Sequence, residues 1–249
     1  MTAAHFGGKV QEQKKGWIKM NRYRSTFPKV NTFLAVVHAV DAKQALANAH
    51  IAQEGGADGI FLINHAITSD VLLRCYEAVR AEMPGLWIGL NFLDLGRSAI
   101  GVIPQTVAGL WTDNAGIEEG GVDCTVSARR FADLRQKCGW KGVYFGGTAF
   151  KYQEPVRNVA AVAAAAIPFV DVITTSGEET GVAPEVGKIA TMKRAIGDYP
   201  LAIASGITAA NVRSFMPFAD CFLVATGISR SPTELDSSRI RSLADQLNH

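Results

Sequence analysis

From Asn31 onward the chain alternates, eight times over, between a short apolar run rich in β-branched residues and a longer stretch of helical period. Such alternation builds a parallel sheet joined by crossover helices. The apolar runs cover residues 32–39, 59–64, 86–91, 109–112, 142–146, 171–175, 201–205 and 221–226. Their continuous apolarity means burial on both faces, which strands inside a ring of helices require. Eight units close that ring without free edges, so the expected fold class is α/β, a (β/α)8 TIM barrel. A doubly wound open sheet is the competing architecture. No Gly-x-Gly-x-x-Gly turn follows the first apolar run, which weakens its dinucleotide-binding form.

The connecting segments carry helix punctuation. Asp41 is placed to cap a helix that ends at Gly55-Gly56, and Thr68, Ser69 and Asp70 open another that stops before Pro84-Gly85. Further helices are expected over residues 99–107, 127–139, 156–169, 184–197, 209–219 and 234–248.

Composition limits the functional classes. With 48% hydrophobic and 19% charged residues the chain can bury a large core and is not of the disordered class. A formal charge of +2 supplies no overall field for nucleic acid or an anionic membrane surface, so neither is expected as a partner. Cys75, Cys124, Cys138 and Cys221 are scattered, without metal-site spacing, and read as reduced thiols. The opening stretch has no apolar core of signal-peptide length and no later segment matches a membrane span, so a cytoplasmic location is expected. Residues 1–30 are polar and basic; they read as a mobile or partner-docking extension, with Met20 a possible alternative start, ahead of one barrel domain over residues 31–249.

In such barrels ligands meet the C-terminal ends of the strands, so polar residues just past each apolar run carry the chemistry. The most specific signal is the tandem ASGIT (204–208) and ATGIS (225–229) after the seventh and eighth runs. In each, a small hydroxyl residue precedes glycine, and a glycine lets main-chain N–H groups approach an anion closely. Ser205, Gly206, Thr226 and Gly227 therefore form an expected phosphate cup, with Gly181 of TTSGEETG as a further donor. The alternative is that these glycines only satisfy turn geometry. In the same TTSGEETG loop, Glu178 and Glu179 are either acid–base groups on a lid or solvated surface charges. His38 ends the first run, where it either titrates in the barrel mouth or is a hydrogen-bonded core histidine. Asp113 follows the fourth run and is the first candidate to face an anomeric carbon. Lys151 lies beyond the fifth and can pair with a phosphate, stabilise an oxyanion or form a Schiff base. His65, Asp94 and Asp113 offer oxygen and imidazole ligands, but no compact metal motif joins them, so neither a metal nor any other cofactor is expected.

The stretches TSGEETGVAPE, GDYPLAIASGITAANV and ADCFLVATGIS resemble the BtpA family, related to the ribulose-phosphate-binding barrels, with weaker similarity in VVHAVD, EGGADGIFLIN and LWTDNAGIEEG. The resemblance implies a phosphate-binding barrel and a small phosphorylated ligand. Members are described variously as nucleosidases or isomerases, and one name derives from a role in photosystem I biogenesis. An enzyme acting on a phosphosugar or phosphoribosyl compound is thus implied, the alternative being a non-catalytic assembly or regulatory factor. The cup is also similar to that of phosphoribosylanthranilate isomerases. That family uses a cysteine at the end of the first strand and an aspartate in a later strand; here His38 and Thr175 stand in those places. A replacement pair, His38 with Glu178 or Asp113, is then required. A homo-oligomer is expected only as soluble proteins commonly form one.

Overall fold

The computed structural model describes residues 21–120 and 123–248. Eight parallel strands form a closed barrel in sequential order: β1 (Thr32–His38), β2 (Gly59–Ile63), β3 (Ile88–Asn91), β4 (Gly109–Thr112), β5 (Val143–Gly147), β6 (Val172–Thr175), β7 (Leu201–Ile203) and β8 (Cys221–Val224). β8 pairs with β1 in the register Thr32↔Cys221 to Ala35↔Val224, which completes the ring. The fold is a (β/α)8 TIM barrel.

Side chains on a strand alternate between its faces, and here that alternation separates two cores. Leu34, Val36, Phe61, Ile63, Trp111, Val143, Phe145, Val172, Ala202 and Leu223 fill the barrel interior. Their neighbours Phe33, Ala35, Val37, Ile60, Leu62, Ile173 and Phe222 pack outward against the helices. Large aromatic groups fit inside only because some inward positions are glycine. A Cβ on Gly89 would lie 2.2 Å from the Phe61 ring, and one on Gly109 would lie 2.4 Å from the Trp87 indole.

The helices are α1 (Arg22–Thr26), α2 (Ala42–Glu54), α3 (Ser69–Glu82), α4 (Val126–Cys138), α5 (Val159–Ala166), α6 (Val186–Ile196) and α7 (Ser237–Asn248). Asp41 caps α2 by accepting from Gln44 N at 2.8 Å. On α7, Ile240, Leu243, Ala244 and Leu247 are buried at the spacing of one helical face. Two expected helices are reduced to 3-10 turns, Gly96–Gly101 and Val212–Ser214. Gly101 and Pro104 terminate the first, and Pro217, lacking an N–H, prevents continuation of the second.

Residues 21–30 differ from the expectation of a polar extension, because they close the floor of the barrel; residues 1–20, including Met20, lie outside the described residues. Tyr23 is fully buried, and its hydroxyl donates to the Asp220 carbonyl at 2.6 Å with the Thr32 hydroxyl at 2.9 Å. Its ring meets Phe145 edge-on, and Phe27 packs on Trp87. Arg22 and Arg24 pair with Asp171 and Asp220 at the rim. The basic residues are a polar collar around an aromatic plug, so average polarity conceals them in sequence. Tyr23→Ala is expected to lower unfolding free energy by about 3–5 kcal/mol, and Tyr23→Phe by about 1–2 kcal/mol. Urea denaturation measures both, and equal losses would discount the ring packing.

Candidate functional site

The inward parity of the strands, continued past their ends, places the site. Leu34 and Val36 lead to His38, Phe61 and Ile63 lead to His65, and Gly109 and Trp111 lead to Asp113. His38, His65 and Asp113 accordingly line a cavity of about 190 Å³ at the C-terminal mouth. Lys151, Gly181, Ser205, Gly206, Thr226 and Gly227 line it too. The mouth thus brings together eight of the ten residues expected from sequence to bind phosphate or to act chemically. Glu178 and Glu179 are the exceptions: both are exposed, and neither side chain lines the cavity. The chain turns at Gly177, where a Cβ would sit 2.2 Å from the Val182 carbonyl, so the inward parity ends there.

Loops 6, 7 and 8, which follow β6, β7 and β8, meet main chain against main chain. A Cβ on Gly206, whose φ is +62°, would lie 2.0 Å from Ala183 N, and one on Gly227 would lie 2.0 Å from the Ile207 carbonyl. Gly181, at φ +82°, faces Thr226 across the same gap. Only glycine permits this approach. The N–H groups of Gly181 and Gly206 donate to no main-chain acceptor outside regular elements among the described residues. Asn211, which sequence reasoning missed, braces the turn by donating to the Gly206 carbonyl at 2.8 Å and accepting from Thr208 N at 2.9 Å. The Ser205 hydroxyl is engaged elsewhere, donating to the Glu179 carbonyl at 2.8 Å.

The opposite wall holds the titratable groups. The His38 and His65 rings stack with centroids 5.3 Å apart and planes 8° from parallel. Burial, then electrostatic repulsion from His65 and Lys151, holds the His38 imidazole below its ordinary pKa of 6.5, which favours the neutral ring. Asp113 accepts from Asn91 Nδ2 at 3.0 Å. Burial pushes its carboxyl above the ordinary range, outweighing the Asn91 hydrogen bond and the charges of Lys151 and His65. Gly147 lets Asp113 sit there, since a Cβ would come within 2.0 Å of the Asp113 carbonyl. Lys151 Nζ donates to Thr180 Oγ1 at 3.1 Å, spanning loop 5, after β5, and loop 6.

Asp94 lies outside this wall, accepting from Asn64 at 2.6 Å and from Ser69 at 2.8 Å. Among the described residues no group of three or more His, Cys, Asp or Glu is arranged to hold a metal ion. No helix among them is long and apolar enough to cross a membrane.

A closed eight-stranded parallel barrel with a glycine-lined cup and a carboxylate–imidazole wall at one mouth places the chain among the TIM barrels. No family model and no curated protein matches the sequence. Solved structures do match in fold. The (S)-3-O-geranylgeranylglyceryl phosphate synthase of Thermoplasma acidophilum, in complex with its substrate sn-glycerol-1-phosphate, superposes with a TM-score of 0.65 at 14% identity, over 91% of this chain and 96% of that one. Phosphoribosyl anthranilate isomerase of Thermus thermophilus gives 0.61 at 13% identity, over 87% and 98%. Native KDPGal gives 0.64 at 12%, over 87% and 94%. At these identities the likeness establishes the fold.

The two perturbed groups have opposite linkage to stability. Asp113 binds its proton more tightly in the folded chain, so its penalty is absent at acid pH and grows as pH rises from the unfolded value of about 3.8 through the folded one. His38 binds its proton less tightly when folded, so its contribution is present above 6.5 and is lost as pH falls below that value. Asp113→Asn is therefore expected to raise Tm at pH 7, with the gain shrinking toward pH 4. Scanning calorimetry across that range checks it; a lower Tm at pH 7 would contradict the assigned burial penalty.

Proposed function

We propose that this chain is an enzyme acting on a small phosphorylated sugar or phosphoribosyl compound by acid–base chemistry of the isomerase type. The supporting observation is one cavity lined by Gly181, Gly206 and Gly227, two of them packed against the backbone of a neighbouring loop, together with Asp113, His38 and Lys151. N–H groups fixed by tight backbone contacts suit a phosphate, because no reorganisation is needed to receive its charge. A phosphate held there directs the sugar carbons toward Asp113. Its raised pKa brings the carboxyl nearer neutrality, where a group can both take and return a proton. The neutral His38 ring serves the sugar oxygen, and the Lys151 ammonium stabilises the oxyanion that develops.

Size favours isomerisation over cleavage of a C–N bond. The cavity, about 190 Å³, lies below the roughly 300–1,000 Å³ of pockets for drug-sized ligands. A phosphopentose fits that scale better than a nucleotide with its base. The phosphorylated substrate of the Thermoplasma synthase supports the same ligand class.

Ribose 5-phosphate should protect the protein thermally while ribose does not, by about 2.7 kcal/mol at a hundred times Kd. In Gly227→Ala the added Cβ, 2.0 Å from the Ile207 carbonyl, should abolish that protection. Equal protection by ribose, or a Gly227→Ala variant that binds like the parent, would reject the cup. On whichever phosphosugar binds, Asp113→Asn should lower turnover by about a hundredfold or more with binding retained.

A further inference from the structure

Lys188 lies on α6, outside the lining of the mouth, yet it is tied to the two loops that cover it. Its Nζ donates to the Ala149 carbonyl at 2.7 Å and to the Ser176 carbonyl at 2.8 Å. Ala149 belongs to loop 5 and Ser176 to loop 6, so a single ammonium joins them. The same carbonyl of Ala149 accepts from Thr175 Oγ1 at 3.0 Å. Ser176 Oγ accepts from Lys151 N at 2.7 Å and donates to the Gly177 carbonyl at 2.8 Å. The Lys151 main chain is therefore fastened to a residue that Lys188 itself holds.

The backbone around Lys151 needs such fastening. Ala149 has φ +49° and Tyr152 φ +61°, both in the left-handed region that residues with a Cβ avoid. Conformations of this kind persist only where neighbouring contacts over-determine them. Beyond Lys151 the connection continues, since Lys151 Nζ and the Tyr152 hydroxyl both reach Thr180 Oγ1, next to Gly181 of the cup.

We propose that Lys188 is a positioning residue, which clamps the Ala149 and Ser176 carbonyls and thereby sets the loop that carries Lys151 over the mouth. The proposal rests on the reading of that mouth as the ligand site. An apolar side chain could fill the same space, but it would leave the carbonyl of the fully buried Ser176 without this donor. Burial depresses the Lys188 pKa and the charge of Glu178 opposes the shift, so a carboxylate outside the cavity supports the clamp electrostatically.

Lys188→Met, Lys188→Gln and Lys188→Arg separate positioning from simple folding. Two readouts are needed: the apparent Kd for ribose 5-phosphate by thermal shift, and the rate of reductive methylation of Lys151 by mass spectrometry, with exposed Lys141 as internal control. Lys188→Met should raise Kd about tenfold and change Lys151 labelling about threefold with Lys141 unaffected, while Lys188→Arg, which keeps a charged donor, recovers most of both. Unchanged Kd and labelling in Lys188→Met would overturn the proposal. So would equal loss of binding in the Met and Arg variants with Lys151 labelled at the parent rate, which is the outcome of a purely structural lysine. If Lys188→Met does not fold, Lys188→Gln is judged by the same two readouts. Failure of ribose 5-phosphate to bind the parent protein would reject the phosphate reading, and the labelling comparison would still decide the clamp.

Discussion

Everything in this molecule depends on the two-residue alternation of side chains along strands that have no free edge. Once β1 pairs with β8, each strand has one face inside the ring and one under the helices, and a slip of one residue would exchange them. The interior cannot adjust, because Phe61, Trp87 and Phe145 occupy space that Gly89 and Gly109 leave open. The same parity that buries Leu34 and Val36 aims His38 into the mouth, and what buries Trp111 aims Asp113. Packing and chemistry are consecutive positions on one face, so the rigidity of the first is transmitted to the second.

The cup uses a different device. Its three loops touch through main-chain atoms, and the glycines are where a side chain would force the loops apart. Close backbone contact fixes the loop geometry without relying on flexible side chains. The carboxylate and imidazole wall is held by side-chain contacts instead, through Asn91 and the stacked rings.

How far the sequence made this legible follows from range. The strands and the tandem Ser-Gly and Thr-Gly turns are local patterns, so they could be read with residues such as His38, Asp113 and Gly206 in place. In sequence His65 reads only as a metal ligand, although its parity with Phe61 and Ile63 carries the signal that it lines the mouth. The exposed position of Glu178 and Glu179 depends on a turn at Gly177 that needs the facing Val182 carbonyl, a contact across the loop. Lys188 looks like any lysine on an amphipathic helix, because both of its acceptors lie on other segments. Tyr23 was hidden for the same reason, since its partners are brought to it by the whole barrel.

That last contact has a consequence for how the protein is made. Tyr23 is translated among the first described residues, yet the carbonyl that receives its hydroxyl belongs to Asp220, near the start of β8. The plug stays undocked, its hydroxyl bonded to water, through synthesis of nearly the whole domain before its partner leaves the ribosome. A nascent chain therefore exposes an aromatic cluster until the final strand is delivered, and its closure is a late, non-local event.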